Sequence, residues 1–587
     1  MCRIVFSFFL GLVVGCGYVS AQTVFTSGFL KFQVTGSDEV VVKGPSADQI
    51  TGLTTPITIP ATVEYGDQTY RVTSIMPYAF QYRYDITVVA EFPATLKSIG
   101  TYAFNGGGAN LAGDLILGEG LESIAEYAFQ NCSKVTSIEL PSKLATIGKS
   151  AFYGMNGLRK VTLRSRCLPD GDNGFHVKTG EETLDIIIGS EVERIPKGFF
   201  SYTTHAQLTF EEGSKCREIG ESAFYSTGLQ HRVMLPESLE TIGYKSFSYI
   251  TTPFSIAFSG ERLKLVTSCA FEGSTGLEGN LELPASVKEI ATCAFYDCSG
   301  LNGTILLPDS LTMLGSKAFM GCSKVTAVHF CAENMPDVTK SDVLKNLGAE
   351  SDGFSVVIGR QVKRIPSKLF SSTLASSLRF EDGSQCGEIA ASAFRGTQLT
   401  GSLSFPASLK TIGARAFENV TLLTDLRLDE NIEELGDGAF YGCTGLKTLY
   451  YNTPFNGYTN DRRASQFYNV GKESGELVLT IGRSIQKVYA RAFSPAYPSR
   501  LVFEEESRCE EIEAGTFSGK DLGGDLIFPA SMKRLGNNAF YGTLIGSVSL
   551  TENIEEIGSA AFASCSRLNK VEWNVAHLQK PVFSQIS

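Results

Sequence analysis

At 587 residues the chain is longer than a single hydrophobic core organises, so it holds either several domains or a repeat array. Its 39 Phe and 59 Gly against one Trp point to one local pattern copied many times. A net charge of −11 with no basic stripe argues against nucleic acid or an anionic lipid surface as a partner.

The N-terminus reads as a signal peptide over residues 1–21: Arg3 precedes an apolar run from Ile4 to Val14, and small residues follow. Two processing sites compete. Val19-Ser20-Ala21 before Gln22 suits a signal peptidase, whereas Val13-Val14-Gly15-Cys16 resembles a bacterial lipobox and makes Cys16 a candidate for lipidation. No later apolar stretch approaches the roughly 20 residues that span a bilayer, so any membrane attachment is through a lipid or a partner.

From residue 71 onward the string I-x-x-x-A-F and close variants dominate. It begins at Ile75, Ile99, Ile124 and Ile147, and returns with Ile219, Ile242, Val266, Ile290, Leu314, Ile389, Ile412, Leu435, Val488, Ile512, Leu535 and Ile557 in first position. Weaker forms start at Ile195 and Ile365, making eighteen copies. Their spacing is 22 to 25 residues except across 147–195, 314–365 and 435–488, each about twice the period, so a degenerate unit is expected in each gap. Between the strings lie short apolar alternations that read as strands, such as Val135-x-x-Ile138-x-Leu140 and Leu281-x-Leu283. Twenty-one of them run from Glu91 to Glu572 and fill the gaps. A 23-residue unit cannot bury its own apolar face, so stacked units are expected to bury the Ile, Ala and Phe of the string against the strand. Ile and Ala stand at i and i+4, which predicts a short helical or 3₁₀ turn. Twenty-one strands about 4.8 Å apart predict a curved rod on the order of 100 Å long.

The repeats IELPSKLATIGKSAFYGMNGL (Ile138 to Leu158) and LELPASVKEIATCAFYDCSGL (Leu281 to Leu301) resemble the BspA-like leucine-rich-repeat family of bacterial surface proteins. ITIPATVEYGDQTYRVTSI, from Ile57 to Ile75, is similar to the stretch that leads into the first repeat of such proteins. The resemblance implies a leucine-rich-repeat solenoid, with a parallel strand on one face of each repeat and short turns and loops on the other. It implies a small β cap within residues 22–70, repeats over 71–572 and a tail over 573–587. It also implies an extracellular or cell-surface location in host-associated anaerobic bacteria, with adhesion to fibronectin or fibrinogen or co-aggregation with other bacteria. No particular ligand follows from it.

A higher order lies above the repeat. Arg166-Cys167-Leu168-Pro169, Phe330-Cys331-Ala332-Glu333 and Tyr451-Asn452-Thr453-Pro454 each follow a strand and open a longer polar segment. Each is followed by a related block: FEEGSKCREI at Phe210, FEDGSQCGEI at Phe380 and FEEESRCEEI at Phe503. Blocks of seven and then five repeats separate the insertions, which are expected along one edge, where they serve as binding loops or inert spacers. The tail from Asn574 resembles the start of a fourth insertion, and is expected either to fray or to be covered by self-association through Trp573 and Phe583.

Cysteines recur at equivalent slots. Cys132, Cys298, Cys322, Cys443 and Cys565 lie three after the motif Phe, Cys216, Cys386 and Cys509 lie three before the motif Ile, and Cys269 and Cys293 share a third slot. Recurrence at one slot signals burial as small apolar groups rather than a disulfide framework. His329 and Cys331, two apart on one strand, are a conceivable hydrolytic dyad, but no orienting carboxylate or oxyanion donor is evident near them in sequence, and core or surface roles are favoured. Asp170-Gly171-Asp172-Asn173-Gly174 hints at calcium, yet Phe175 stands where a calcium loop needs glycine, so a solvated turn is favoured. The pairs Glu211-Glu212 and Glu381-Asp382 and the run Glu504 to Glu506 also read as solvated turns. Five His leave no zinc site apparent.

The expectation is therefore a protein without catalytic residues, metal or cofactor that holds a protein ligand, either a host matrix protein or a bacterial surface protein. The candidate binding residues form an outward strand row: Met234, Leu306, His329, Arg379, Arg427 and Tyr450. A carbohydrate-binding or structural surface element is the alternative, and it calls for aromatic platforms repeated along the row, where only Tyr450 qualifies.

Overall fold

The computed structural model describes residues 23–50, 53–107, 110–171, 174–178, 180–340, 342–453 and 465–575. The leader with Cys16, the pair Asp172-Asn173 and the tail segment with Phe583 lie outside the described residues. The chain forms two compact units, Met1–Leu158 and Arg159–Ser587.

In the first unit Val24–Ser27, Leu30–Val34 and Glu39–Pro45 form an antiparallel meander. Glu39–Pro45 then pairs in parallel with Gln68–Ile75, whose last two residues open a ladder of two-residue strands at Ser98–Ile99, Ser123–Ile124 and Thr146–Ile147. The change from antiparallel to parallel pairing occurs on Glu39–Pro45, and Thr62–Tyr65 pairs antiparallel with Gln68–Ile75 off this path. Phe25, Phe32, Val40, Val42 and Val72 fill the interior of this sheet.

The second unit repeats one turn: a long strand on one face, a two-residue strand at a bend, then the Ala-Phe segment. Eighteen strands of this face follow one another from Lys160–Leu163 to Lys570–Trp573, all longer than two residues except Leu281–Glu282, and together with three levels in the first unit they make about twenty-one turns among the described residues. Strand alternation follows the sequence, as in Thr304–Leu307, where Ile305 and Leu307 are buried while Thr304 and Leu306 are half-buried.

The motif differs locally from the predicted helical turn. Its Ile belongs to the two-residue strand, as in Val266 opposite Ile290 and Ile290 opposite Leu314. The following residues form hydrogen-bonded turns in which the fourth and eighth positions are left-handed, for example Cys293 (φ 57°) and Asp297 (φ 57°). Among the described residues only Ala490–Phe493 is α-helical. A helix would direct every N–H along its own axis to the fourth residue back. Here the left-handed residues turn alternate N–H groups toward the next level: Cys293 N–H donates to Ser316 O (3.0 Å), Phe295 N–H to Ala318 O (2.8 Å) and Asp297 N–H to Met320 O (2.8 Å). Backbone groups that a lone turn would leave bare are thus satisfied by stacking. The cost is about 1–2 kcal/mol for each non-glycine residue held left-handed.

The three degenerate units occupy the same slots. Val343 and Gln466 take the Ala position, accepting from Phe319 N–H (2.9 Å) and Phe440 N–H (3.0 Å), so Leu344 and Phe467 replace the motif Phe. Phe175 does so in the first gap, donating to Phe199 O (2.6 Å). All three side chains are buried.

The motif Phe rings make ladders inside the stack. Centroids are 5.0–6.0 Å apart along Phe80, Phe104, Phe129 and Phe152, and 4.9–5.6 Å along Phe200, Phe224, Phe247, Phe271, Phe295 and Phe319. The recurrent cysteines cap this ladder. Cys132, Cys298, Cys322, Cys443 and Cys565 each lie 3.1–3.3 Å from the carbonyl of the Phe one turn back. Thr203 and Thr227 serve the same carbonyl elsewhere. All twelve cysteines of the described residues are free thiols.

Candidate binding surface

The outward row is in register. Met234 stands opposite Ala257, and Glu282, Leu306, His329, Val357 and Arg379 follow as successive partners in one sheet. Arg427, Tyr450, Thr480 and Val502 follow in another. Leu306 and His329 are therefore neighbours, as are Arg427 and Tyr450, whereas Met234, 47 % exposed, stands on a separate two-strand sheet. Met234 also lines a cavity of about 680 Å³ with Phe210, Glu212, Arg217, Glu237 and Arg262.

Arg427 and Tyr450 are joined to each other and to neighbouring acids. The guanidinium carbon lies 3.9 Å from the ring centroid, within cation–π range, and the same guanidinium pairs with Asp429 at 2.7 Å. The Tyr450 hydroxyl donates to Glu504 Oε2 at 2.8 Å. Burial and this carboxylate push the Tyr450 phenol up to about 12, so it stays a neutral donor.

Glu504 shows what the related blocks do. Its carboxylate also accepts the backbone N–H of Arg483 (2.7 Å), just past the strand of the degenerate turn. Glu381 likewise accepts from Arg360 N–H (2.9 Å) and lies 3.1 Å from His329 Nε2. Glu211 accepts from Ser190 N–H (3.0 Å) and from Arg164 (2.8 Å). In each block the first acid therefore reaches a side chain from two turns back across the degenerate turn, bonding Arg164 and Tyr450 in two blocks and lying beside His329 without a hydrogen bond in the third. The sequence reading of all these acids as solvated turns is corrected for Glu211, Glu381 and Glu504. The second acids, Glu212, Asp382 and Glu505, are exposed.

Burial works to raise the Glu504 carboxyl, but the donors from Tyr450 and Arg483 outweigh it and hold its pKa below the usual range. A lowered folded-state pKa contributes stability that is complete above the unfolded value near about 4.3 and is lost as pH falls through the folded value. Glu504→Gln is therefore expected to lower the melting temperature at pH 7, by an amount that shrinks as the pH falls from about 4 to about 2. A gap that stays constant between these pH values would show that the carboxylate charge contributes nothing.

A second clasp recurs one step on. Arg194 bridges Asp170 (2.7 Å) and Glu218 (2.9 Å), Arg364 bridges Asp337 (2.6 Å) and Glu388 (2.9 Å), and Lys487 reaches Glu511 (2.9 Å) and Glu513 (3.0 Å). Both Asp170 oxygens are engaged, one by Arg194 and one by Lys197 N–H (2.7 Å), so this aspartate is a structural acceptor. Among the described residues no group of three or more His, Cys, Asp or Glu is placed to hold a metal ion. His329 faces Glu381, and burial pushes the Cys331 thiol up to about 11, with Glu381 and Asp309 adding to it. The pair thus lacks the thiolate–imidazolium arrangement a nucleophile needs.

The sequence reading sought aromatic groups only along the strand row. The opposite, turn face carries them. In the first unit Tyr78, Tyr102 and Tyr127 stack with centroids 5.4 and 4.7 Å apart, and Tyr82 and Tyr84, on the same turns, form a tilted pair at 6.5 Å. Gln81, Asn105 and Gln130 form a hydrogen-bonded amide row at the neighbouring position. In the second unit Tyr202, Tyr225 and Tyr249 make an edge-to-face chain beside Lys245. The signal lay in the motif itself, whose first three copies read Tyr-Ala-Phe.

Stacked turns with a long parallel strand on one face and an Ala-Phe turn on the other define a leucine-rich-repeat β-solenoid. The BspA type leucine rich repeat region is matched six times, over residues 73–204, 122–253, 171–302, 253–341, 363–496 and 486–587, and the chain belongs to that family. Among solved structures it is similar to a leucine-rich repeat protein from Bacteroides ovatus, with 20% identity over 73% of this chain and 94% of that one and a TM-score of 0.33. A leucine rich cell surface protein from Faecalibacterium prausnitzii is 16% identical over 97% of this chain and 99% of its own, with a TM-score of 0.29. A pneumococcal vaccine antigen is also 16% identical, over 94% and 99%, with a TM-score of 0.23. No curated protein matches the chain. Among the described residues no helix is long and apolar enough to cross a membrane.

Proposed function

We propose that the protein is exported, displayed at a bacterial surface, and binds a protein ligand through the outward strand row from Leu306 to Tyr450. Leucine-rich-repeat arrays serve protein–protein interaction, which supports this reading. A cell-surface description attached to the Faecalibacterium protein, the leader-like residues 1–21 and the candidate lipid site Cys16 support display. The observation that carries the binding reading is the Arg427–Tyr450–Glu504 arrangement: an Arg and a Tyr held rigid on a strand face, the residue types that dominate protein interfaces. Exposed Arg379 lies on the same strand face, without an ion-pair partner among the described residues.

Arg379→Ala, Arg427→Ala and Tyr450→Ala combined are expected to weaken binding to immobilised fibronectin, fibrinogen or whole bacterial cells by about tenfold or more. Losing the surface Arg427–Asp429 pair and the half-buried Tyr450–Glu504 hydrogen bond should together cost about 1–3 kcal/mol, so binding is compared at a temperature where both proteins are folded. Equal binding by the triple variant would exclude this part of the row.

A further inference from the structure

The turn face of the first unit is a second surface, built differently from the strand row. Tyr78, Tyr82 and Tyr84 are 56 %, 58 % and 60 % exposed, more than most large apolar side chains in the chain. Tyr78, Tyr82, Tyr102 and Tyr127 occupy left-handed positions with φ of 51–61°. Glycine takes these positions without strain, and the chain uses it at equivalent slots, as in Gly106, Gly154 and Gly198. The left-handed backbone is shared by the other turns, where Ser150, Ser222, Lys245 or Cys293 stand at the slot of Tyr78, so it is the tyrosine side chains that set these levels apart.

The patch is also pre-organised. The Tyr82 ring packs against Gly106, where an added Cβ would lie 2.4 Å from two ring carbons and 3.2 Å from the Tyr84 hydroxyl. Tyr82 N–H donates to Asn105 O at 3.2 Å. Asn110 Nδ2 donates to the carbonyls of Tyr84 (2.8 Å) and Ile86 (2.9 Å), which fixes the segment carrying the second ring. Few charges border the rings, a further one being Lys134, which donates to Asn110 Oδ1 at 3.1 Å. Arg83 and Asp85 neutralise each other at 2.7 Å, and the residues flanking the rings are the Gln81, Asn105 and Gln130 amides, with Glu126 at the far side.

We infer that Tyr82 and Tyr84, with the Tyr78–Tyr102–Tyr127 stack and the amide row, form a binding site for an uncharged polysaccharide. A pyranose ring offers an apolar C–H face and a hydroxyl rim. The exposed Tyr82 and Tyr84 take the first, and the phenols with the half-buried Gln81 and Gln130 amides take the second, while buried Asn105 only ties that row together. An anionic polymer such as heparin is disfavoured by a chain of net charge −11. The site meets the requirement for repeated aromatic platforms that the strand row fails, and it is independent of the protein-binding row.

The test is native electrophoresis of the full protein in gels containing yeast mannan, barley β-glucan, galactomannan or hydroxyethyl cellulose, with heparin as the charged comparison. At least one neutral polymer should retard the wild type. Tyr82→Ala with Tyr84→Ala should weaken that retardation about tenfold at an unchanged melting temperature, while Tyr82→Phe and the strand-row variant Tyr450→Ala keep it. The inference is overturned if no neutral polymer retards the protein, if heparin alone does, or if the double variant is retarded as strongly as the wild type. It is equally overturned if the double variant loses only capture of a protein such as fibronectin.

Discussion

Phe295→Ala should lower the stability of the array by about 3–5 kcal/mol, among the larger effects a single truncation produces. Phe295 is fully buried, and its ring is stacked on Phe271 at 4.9 Å and on Phe319 at 5.1 Å with interplanar angles of 6° and 3°. Removing it deletes two ring contacts at once and leaves a void that neighbouring levels cannot close, because Phe295 N–H and Asp297 N–H pin them at fixed spacing. In a solenoid each level is coupled only to its neighbours, so the damage is expected to be local. Hydrogen exchange should show amides between Val266 and Phe319 losing protection together with a lower melting temperature. Unchanged protection there would mean that the Phe ladder is not what couples the levels.

Gly276→Ala is expected to destabilise by about 2–3 kcal/mol through overpacking of backbone against backbone. A Cβ at Gly276 would lie 2.0 Å from Thr252 O in the preceding level, and the equivalent glycines Gly157, Gly300 and Gly445 meet neighbouring carbonyls at 2.0–2.2 Å. These atoms are main chain and cannot rotate away, so the two levels must separate. Gly213→Ala is the control: nothing lies within 4 Å of its Cβ site, but its φ of 69° imposes a strain of about 1–2 kcal/mol. If thermal unfolding ranks Gly213→Ala as the more damaging of the two, conformational strain rather than close approach governs these positions.

The repeat was legible because its unit is short and its core residues are few. Ile, Ala and Phe at fixed spacing give the period, and strand alternation locates degenerate units where the motif is absent, so Leu344 and Phe467 were findable only as positions. The local conformation was not legible. A four-residue interval between Ile and Ala fits one turn of helix and equally a pair of tight turns, and the decision comes from hydrogen bonding between levels, which no single repeat contains. The same limit applies to Glu211, Glu381 and Glu504. Their partners lie 21 to 54 residues away in sequence, so as isolated acids in Gly/Ser-rich turns they resemble solvent-facing groups. The slot rule for cysteine burial holds for the slot after the motif Phe and the slot before the motif Ile, but fails for Cys269 and Cys293, which are only half-buried because their slot is the left-handed position at the rim of the turn. Of the candidate row, the register placed Leu306 beside His329 and Arg427 beside Tyr450, a juxtaposition the strand spacing implied, whereas the separate sheet of Met234 depends on where backbone pairing lapses.

The first clasp keeps one partner constant and lets the other vary. In all three blocks the carboxylate holds a main-chain N–H, while the side chain it meets is a guanidinium, an imidazole or a phenol. Structural closure thereby falls on an atom every residue possesses, and the outward group is released to differ from block to block. Blocks of this kind are interchangeable parts: copying, deleting or exchanging one carries its own fastening with it and alters only the chemistry displayed at the junction. Such an array can change what its outer face presents, one block at a time, without renegotiating how its levels are held.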